Sequence, residues 1–385
     1  MEAQSGRILD GLVNFCPLLD YVAEITAPGT FMLLDIGCSG GINRQWRRLG
    51  RRLRAIGIDP DVREIERLAA REKNPLITYV NAFAGIAPDH PFAIKKQGKP
   101  DLERNPWPRL STLRYMENVY PPDKKISDKE RRSANLWPTA QLADPSSPII
   151  VPEHLRHNGV SSLDFLKIDV DGKDFDLLNA FDQALTDLAV LGVGIEVRFW
   201  GSACETDGTF HNVDRFLKAR GFELFNLTLR RYSTSALPSQ FVGRAPGPTE
   251  SGRVHHGDAM YARDLGSGLH DDFANSLTAD KILNLAAIFA IFDLPDCAAE
   301  IVLKFRHLLS QLCDVDRILD LLTTQAEKEV FGIASYNQRM ERFLRQPGRF
   351  RRTRNPFLRL ARAWKRGYLK WRGRMQLRKL ERRGI

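Results

Sequence analysis

The sequence predicts an α/β protein built on an open, largely parallel sheet. Short apolar runs of strand length alternate with segments of helical periodicity, which favours parallel pairing through right-handed crossovers. The first apolar run ends in a glycine-rich turn, as in folds that bind nucleotide-like ligands. With 385 residues, of which 43% are hydrophobic and 27% charged, the chain can bury a substantial core, and two structural units are expected.

The elements follow in chain order. A first amphipathic helix is predicted over about residues 8–25, closed by Pro28-Gly29. Seven strands are predicted at residues 31–36, 53–58, 76–80, 163–170, 188–197, 222–227 and 258–262. Helical spacing marks residues 62–72, 173–185, 213–220 and much of 277–331.

The alternation breaks between residues 85 and 148, where ten of the 21 prolines fall without any sustained period. Such a stretch is typical of a functional lid or of a surface insertion. The predicted organisation is an α/β domain over residues 1–265 with an insertion at 85–148, a helical appendage over 270–340 and a basic tail over 345–385.

Charge is distributed unevenly along the chain. From Arg342 to Ile385 there are 17 Lys and Arg against one acid, a net +16, whereas the remaining 341 residues carry −6. The overall charge of +10 therefore describes neither part.

Composition excludes several classes of protein. Five cysteines without a Cys-x-x-Cys pair exclude a disulfide framework and a thiolate zinc site. The opening residues lack a secretory pattern, and the longest apolar run, Ile282 to Phe292, contains Asn284 and is far shorter than the ~20 residues that span a bilayer. A cytoplasmic protein is expected.

The most informative segment is the turn that follows the first strand. Its spacing, Gly37-x-x-Gly40-Gly41, departs from the Gly-x-Gly-x-x-Gly of dinucleotide sites. Asp59 ends the next strand, where a carboxylate can accept both hydroxyls of a ribose. Asp35 precedes the turn and would repel a pyrophosphate but attract the ammonium and sulfonium groups of S-adenosylmethionine. The alternative is that Asp35 is a buried side chain that caps the turn.

These residues resemble the FkbM-type S-adenosylmethionine-dependent methyltransferases. The family's Asp-Val-Gly-Ala-Asn-x-Gly turn is matched at Asp35, Gly37 and Gly41, and its Lys-Ile-Asp-Val-Glu-Gly segment at residues 167–172. Further matches are Gly57 to Pro60, Asn81-Ala82, Ile195-Glu196 and Gly257 to Tyr261. Cys38 and Ser39 replace the usual Ala-Asn, and the long insertion prevents acceptor specificity from being carried over.

The resemblance implies a class I methyltransferase fold, a Rossmann-like sheet of seven strands whose last strand is antiparallel. It also implies a binding site for S-adenosylmethionine. The residues expected to hold that cofactor are Asp35, Gly37, Cys38, Ser39, Gly41, Asp59, Pro60, Asn81 and Ala82.

Two acids at strand ends are the candidate catalytic residues. Asp169 is predicted to act as the base or to orient the acceptor, with hydrogen bonding to loop amides or to Lys167 as the alternative. Glu196 is predicted to meet the acceptor or to pair with Arg198. Asp171 is expected to cap the next helix. Asp169, Asp171 and Glu196 could ligate Mg²⁺, but no spacing demands a metal and none is predicted. His211, His255 and His256 fall near predicted loops that could border the crevice.

The tail carries an apolar stripe at helical spacing, formed by Phe357, Leu360, Ala361, Trp364, Tyr368, Trp371 and Met375. Such a helix can lie on an anionic membrane surface, so residues 357–375 are predicted to make the protein peripheral on the inner face of the membrane. The alternatives are nucleic-acid binding and a solubilising tail.

The predicted function is O-methylation of a glycan, a lipid-linked sugar or a small metabolite with S-adenosylmethionine. The alternatives are an RNA methyltransferase steered by the basic tail and a catalytically silent binding protein on the same fold. A nicotinamide oxidoreductase is disfavoured by the glycine spacing.

Overall fold

The computed structural model describes residues 17–97, 142–144, 147–170, 172–232, 241–242, 245–246, 249–326, 335–350, 364 and 368. Residues 8–16 of the predicted first helix, most of the insertion and nearly all of the tail lie outside the described residues.

The centre of the fold is a seven-stranded sheet in the order 3-2-1-4-5-7-6. Its strands are β1 (Phe31–Ile36), β2 (Leu53–Asp59), β3 (Ile77–Asn81), β4 (Phe165–Ile168), β5 (Gly192–Arg198), β6 (Phe222–Tyr232) and β7 (Arg253–Arg263). The pairs β2–β3, β1–β4 and β4–β5 are parallel, whereas β7 is antiparallel to both β5 and β6. The predicted class I methyltransferase fold is confirmed.

Along the chain, helices precede, separate and follow the strands of the sheet. In chain order they are α1 (Pro17–Ile25), α2 (Arg44–Arg47), α3 (Val62–Arg71), α4 (Pro91–Lys96), α5 (Val151–His157), α6 (Asp174–Ala180), α7 (Ala184–Asp187), α8 (Phe210–Lys218), α9 (Asp271–Asn275), α10 (Ala279–Ile291), α11 (Pro295–Lys304), α12 (Arg306–Leu309), α13 (Val315–Ala326) and α14 (Tyr336–Arg345). Short 3₁₀ turns occupy Gly50–Arg52 and Pro347–Phe350. In the described residues no helix combines the length and the apolar composition that crossing a bilayer requires.

Some element limits differ from the prediction. The helix predicted over residues 173–185 is two helices, α6 and α7, separated by a turn at the fully buried Phe181. The strand predicted over 188–197 begins only at Gly192, because Ala189 has a φ of +48°, which an extended strand does not accommodate. β6 and β7 are both longer than predicted, since they pair with each other along polar segments that lack strand-like apolar alternation.

The sheet is held by apolar burial on both faces. All six residues of β1 are buried, as expected of a strand covered on both sides. Leu34, Leu166, Ile168 and Val193 are inaccessible to solvent and belong to one continuous core. Burial of each such side chain contributes about 1.5–3 kcal/mol, so the strand ends are set on a rigid base.

Both ends of the 85–148 insertion lie beside the carboxyl ends of strands. Ala84–Gly85 pairs in parallel with Ile149–Ile150 just after β3. Leu142 bridges to Asp61, and the Ala143 amide donates to the carbonyl oxygen of Pro60 at 2.8 Å, just after β2. A second short ladder joins Phe241–Val242 to Ala245–Pro246.

The chain divides into two compact units, the first of which contains residues 32–42 and 54–263 and so holds most of the sheet. The second contains the described residues of 17–31, 43–53 and 264 onward. Within it, the fully buried Asn284 of α10 accepts a hydrogen bond from the Arg52 guanidinium and donates to the carbonyl oxygen of Thr30 at 2.8 Å. The domain limits given above stay a prediction.

Candidate active site at the carboxyl ends of the strands

The turn between β1 and α2 depends on its glycines. Gly37, Gly40 and Gly41 have φ values of +82°, +86° and +85°, a region that disfavours side chains. A Cβ on Gly37 would lie 1.8 Å from the carbonyl oxygen of Asp169, so only glycine lets the turn approach the end of β4. Gly40 is exposed, and a Cβ there would meet nothing within 4 Å. The turn therefore contacts the fourth strand on one side and opens to space at Gly40.

Four amides of the turn donate to acceptors of the protein itself. The amides of Gly37 and Cys38 donate to the Ile58 carbonyl oxygen at 2.9 and 3.2 Å, and that of Gly41 to the Cys38 carbonyl oxygen at 2.8 Å. The Gly40 amide donates to Glu64 Oε1 at 2.9 Å. The Ser39 amide lies close enough to the Asp59 carboxylate to oppose the rise of its pKa.

Glu64 contacts the glycine turn from α3 and was not among the residues predicted from the sequence. It lies in the first turn of α3 and is buried, and its carboxylate receives Arg67 Nε at 2.7 Å. Burial alone would raise the pKa of Glu64, but the hydrogen bonds from Arg67 and Gly40 hold it below its ordinary value. The three-residue spacing of Glu64 and Arg67 indicates a helical ion pair, but no local pattern directs it toward the glycine turn.

The other predicted residues of the turn differ in exposure. The Cys38 side chain is buried with Ile65, Leu68 and Tyr79, so only its backbone could contact a ligand. Burial, and then the charges of Asp35 and Asp59, raise the pKa of its thiol. Ser39 is exposed.

Asp59, Pro60, Asn81 and Ala82 meet where β2 and β3 end. Asp59 pairs in register with Asn81, whose side-chain amide donates to the Asp59 carbonyl oxygen at 3.2 Å, as does the Ala82 backbone amide. The Asp59 carboxylate accepts from the Asp61 amide at 2.9 Å, and burial raises its pKa. Asn81 is exposed and Ala82 is buried.

A buried ion cluster joins the ends of β1 and β4. Lys167 Nζ lies 2.8 Å from Asp35 Oδ1 and 3.6 Å from Asp169 Oδ2, and it also donates to the Gly37 carbonyl oxygen at 3.4 Å. Burial raises the pKa of Asp35, and the Lys167 ammonium opposes that rise. Asp35 is therefore buried and paired with Lys167, whose ammonium also forms an ion pair with Asp169.

Glu196 belongs to a second, acidic group further along the sheet. It pairs in register with Asp258 of β7, and burial, followed by the charges of Asp169, Asp174 and Asp258, raises its pKa to about 9. Glu196 is thus protonated at neutral pH and can donate a hydrogen bond. Arg198 does not pair with it, because its guanidinium lies 3.4 Å from Asp207 and over the Trp200 ring.

Aromatic side chains border this acidic group. The His255 ring lies 5.6 Å from Trp200 and 5.5 Å from Tyr232, measured between centroids. Burial lowers the pKa of His255 to about 4 and that of His256 to about 3, so both are neutral. His256 Nε2 lies 3.7 Å from Glu196 Oε2, too far for a hydrogen bond.

Two further expectations concern His211 and Asp171. His211 Nδ1 lies 3.0 Å from the Thr209 hydroxyl at the start of α8. The amides of Val170 and Gly172 donate to Asp174, both at 3.0 Å, whereas Asp171 lies outside the described residues. Among the residues that the structure describes, no three His, Cys, Asp or Glu side chains are arranged to share a metal ion.

Neither a protein-family model nor a curated protein matches the sequence. The fold resembles a TehB-like SAM-dependent methyltransferase from Corynebacterium glutamicum (15% identity, 68% of this chain and 95% of that chain, TM-score 0.24). It also resembles a SAM-dependent methyltransferase from Anabaena variabilis (10% identity, 66% and 95%, TM-score 0.27) and the 23S rRNA methyltransferase ErmE (11%, 82% and 100%, 0.24). The class I methyltransferase fold is assigned from the order of the seven strands and from the antiparallel direction of β7.

Proposed function

We propose that the protein is an S-adenosylmethionine-dependent methyltransferase. The observation that carries the proposal is the Asp59 carboxylate, which ends β2 and is oriented by the Asp61 amide at 2.9 Å. An acid in this position suits the two hydroxyls of a ribose. The adjoining turn opens to space at Gly40, which leaves room for a substituent on that ribose.

Charge at the strand ends supports a cationic ligand. One ammonium, that of Lys167, faces the two carboxylates of Asp35 and Asp169. The excess negative charge favours a sulfonium and an ammonium group over a pyrophosphate. The residues present therefore fit S-adenosylmethionine, which supplies a methyl group bound to a positively charged sulfur.

The chain's own residues would align the acceptor and accept its proton. Asp169 is the proposed base, since its carboxylate lies at the end of β4 beside Lys167. Glu196 carries a proton at neutral pH and would donate a hydrogen bond to the acceptor. The buried indole N–H of Trp200 has no hydrogen-bond partner among the described residues and could serve the same purpose.

A base beside the crevice supports a hydroxyl acceptor and hence O-methylation, because an alcohol must lose its proton during transfer. We propose a glycan, a lipid-linked sugar or a small metabolite as the acceptor class. A protein that binds the cofactor but transfers no methyl group to any glycan, lipid or RNA fraction would instead be a silent binding protein.

Calorimetric titration of the full chain with S-adenosylmethionine, S-adenosylhomocysteine and NAD tests the cofactor. We expect micromolar affinity, about −8 kcal/mol, for the two sulfur compounds and none for NAD. Asp59→Asn keeps the shape of the side chain but removes its charge, and it should weaken binding about tenfold to a hundredfold.

Glu66→Gln provides the matched control, because Glu66 is an exposed acid on the neighbouring α3. Its binding should equal that of the wild type. If neither sulfur compound binds the wild type, the proposed function is wrong.

A further inference from the structure

Phosphate groups in glycine-rich sites are held by backbone amides that have no partner in the protein. In this protein the amides of Gly37, Cys38, Gly40 and Gly41 donate to protein acceptors. A phosphate could take the Gly40 amide only by displacing its acceptor, Glu64.

One of these acceptors is a carboxylate, that of Glu64, which accepts from Gly40 at 2.9 Å. A second carboxylate near the turn is that of Asp59, which accepts from the Asp61 amide. Asp59 is accounted for by ribose recognition, whereas Glu64 has no part in that task. Glu64 nevertheless takes the amide of the one turn glycine whose surroundings are open, which is the side a ligand would approach.

The position of Glu64 is held firmly. Its side chain is only 7% exposed, and Arg67 contacts both of its oxygens, at 2.7 and 2.5 Å. Asp61 caps the same helix by accepting from the amides of Arg63 and Glu64, which sets the first turn of α3 against the glycines. Glu64 therefore stays in place as a fixed negative charge at the turn.

We propose that Glu64 is a specificity-determining residue whose carboxylate closes the glycine turn to phosphates and restricts the site to nucleosides without a phosphate. This inference rests on the proposed function and deepens it. The favoured ligand class is a nucleoside whose 5′ substituent is a sulfonium or a thioether. Nucleoside diphosphates are rejected because the Glu64 carboxylate repels their phosphates and already occupies the Gly40 amide.

The test compares adenosine with ADP, which differ only in the 5′ diphosphate, by calorimetry on the full chain. The wild type should bind adenosine at least about tenfold more tightly than ADP. Glu64→Ala removes the acceptor of the Gly40 amide and the negative charge at the turn, so it should tighten ADP binding about tenfold with little change for adenosine. Glu64→Gln, which retains an acceptor oxygen but no charge, should give a smaller gain.

Glu66→Ala removes the same charge from an exposed site on the same helix and should leave the ADP-to-adenosine ratio unchanged. Thermal melts establish whether each variant is folded. If Glu64→Ala does not fold, the ADP and adenosine affinities of Glu64→Gln provide the test. If the ratio of ADP affinity to adenosine affinity in the folded Glu64 variants stays within about twofold of the wild-type ratio, the inference is overturned. Failure of the wild type to bind adenosine and S-adenosylhomocysteine would overturn the proposed function instead.

Discussion

A single ammonium group, that of Lys167, links the ends of two strands. Burial by itself would lower the pKa of Lys167, but the charges of Asp35 and Asp169 hold it above its ordinary value, so the cation persists at physiological pH. Buried ion pairs contribute little net stability because desolvation offsets attraction. The main effect of this cluster is therefore to orient side chains, because Lys167 contacts both the Gly37 carbonyl oxygen of the glycine turn and the candidate base Asp169.

Glu196 predicts a pH dependence of stability. Its pKa of about 9 lies above the ordinary value of 4.5, so the folded state binds the extra proton and stability falls as pH rises between those values. The contribution is full below the ordinary pKa and changes by about 1 kcal/mol per pH unit inside the window. Glu196→Gln should remove it, which urea unfolding at pH 6, 7.5 and 9 would measure.

In that experiment the variant should gain stability relative to the wild type as pH increases. Parallel curves for the two proteins would show that Glu196 ionises normally. Carboxyl ¹³C NMR titration of Glu196 offers an independent measurement, in which the transition should centre near pH 9.

At the scale of elements, α10 is buried around its whole circumference, yet it contains Asn284. In the sequence this asparagine interrupts an apolar run, Ile282 to Phe292. In the structure its side chain receives the buried Arg52 guanidinium and donates to the Thr30 carbonyl oxygen. The helix therefore carries a polar contact to residues about 230–250 positions earlier in the chain.

Asn284→Ala should lower the free energy of unfolding by about 1–3 kcal/mol, because a buried charged donor loses an acceptor and a buried carbonyl loses a donor. Chemical denaturation gives the value directly. Asn275→Ala, at an exposed position that ends α9, is the matched control and should change stability by less than about 0.5 kcal/mol. Equal effects of the two substitutions would mean that the buried contact contributes nothing.

For the whole molecule, the main feature is the separation of charge along the chain. The body is mildly acidic, and the positive charge concentrates after Arg342. Within this segment the structure describes Trp364 and Tyr368 as helical and exposed, at 81% and 49%. Both residues belong to the apolar stripe that the sequence predicts for the tail.

Deletion of residues 346–385 would change the net charge from +10 to −4. We expect it to abolish flotation of the protein with anionic vesicles, with each lost basic residue accounting for up to about 1 kcal/mol. Unchanged flotation would remove the membrane role assigned to the tail.

The variant Trp364→Ala/Tyr368→Ala/Trp371→Ala is the control that separates a membrane from a nucleic acid, because it retains the full charge. Vesicle binding should fall, since the apolar face is lost. If instead RNA binding is strong, depends steeply on salt and disappears with the deletion, the RNA methyltransferase alternative is favoured.

Local sequence patterns predict the order of strands and helices along the chain, the glycine turn and the acids at the strand ends. Apolar periodicity and turn chemistry are local properties, so they could be assigned without a fold. Asp59 and Asp169 could be selected for the same reason, because the carboxyl ends of parallel strands gather at one edge of a sheet.

The group that faces each of these acids is set by the folded structure. Lys167 pairs with Asp35 across 132 residues, Glu64 takes the Gly40 amide from the following helix, and Arg52 meets Asn284 across 232 residues. No local pattern specifies such contacts, since they depend on strand order, register and side-chain direction together. For the same reason the raised pKa of Glu196 follows from burial, and then from the charges of Asp169, Asp174 and Asp258, rather than from its neighbours in the chain.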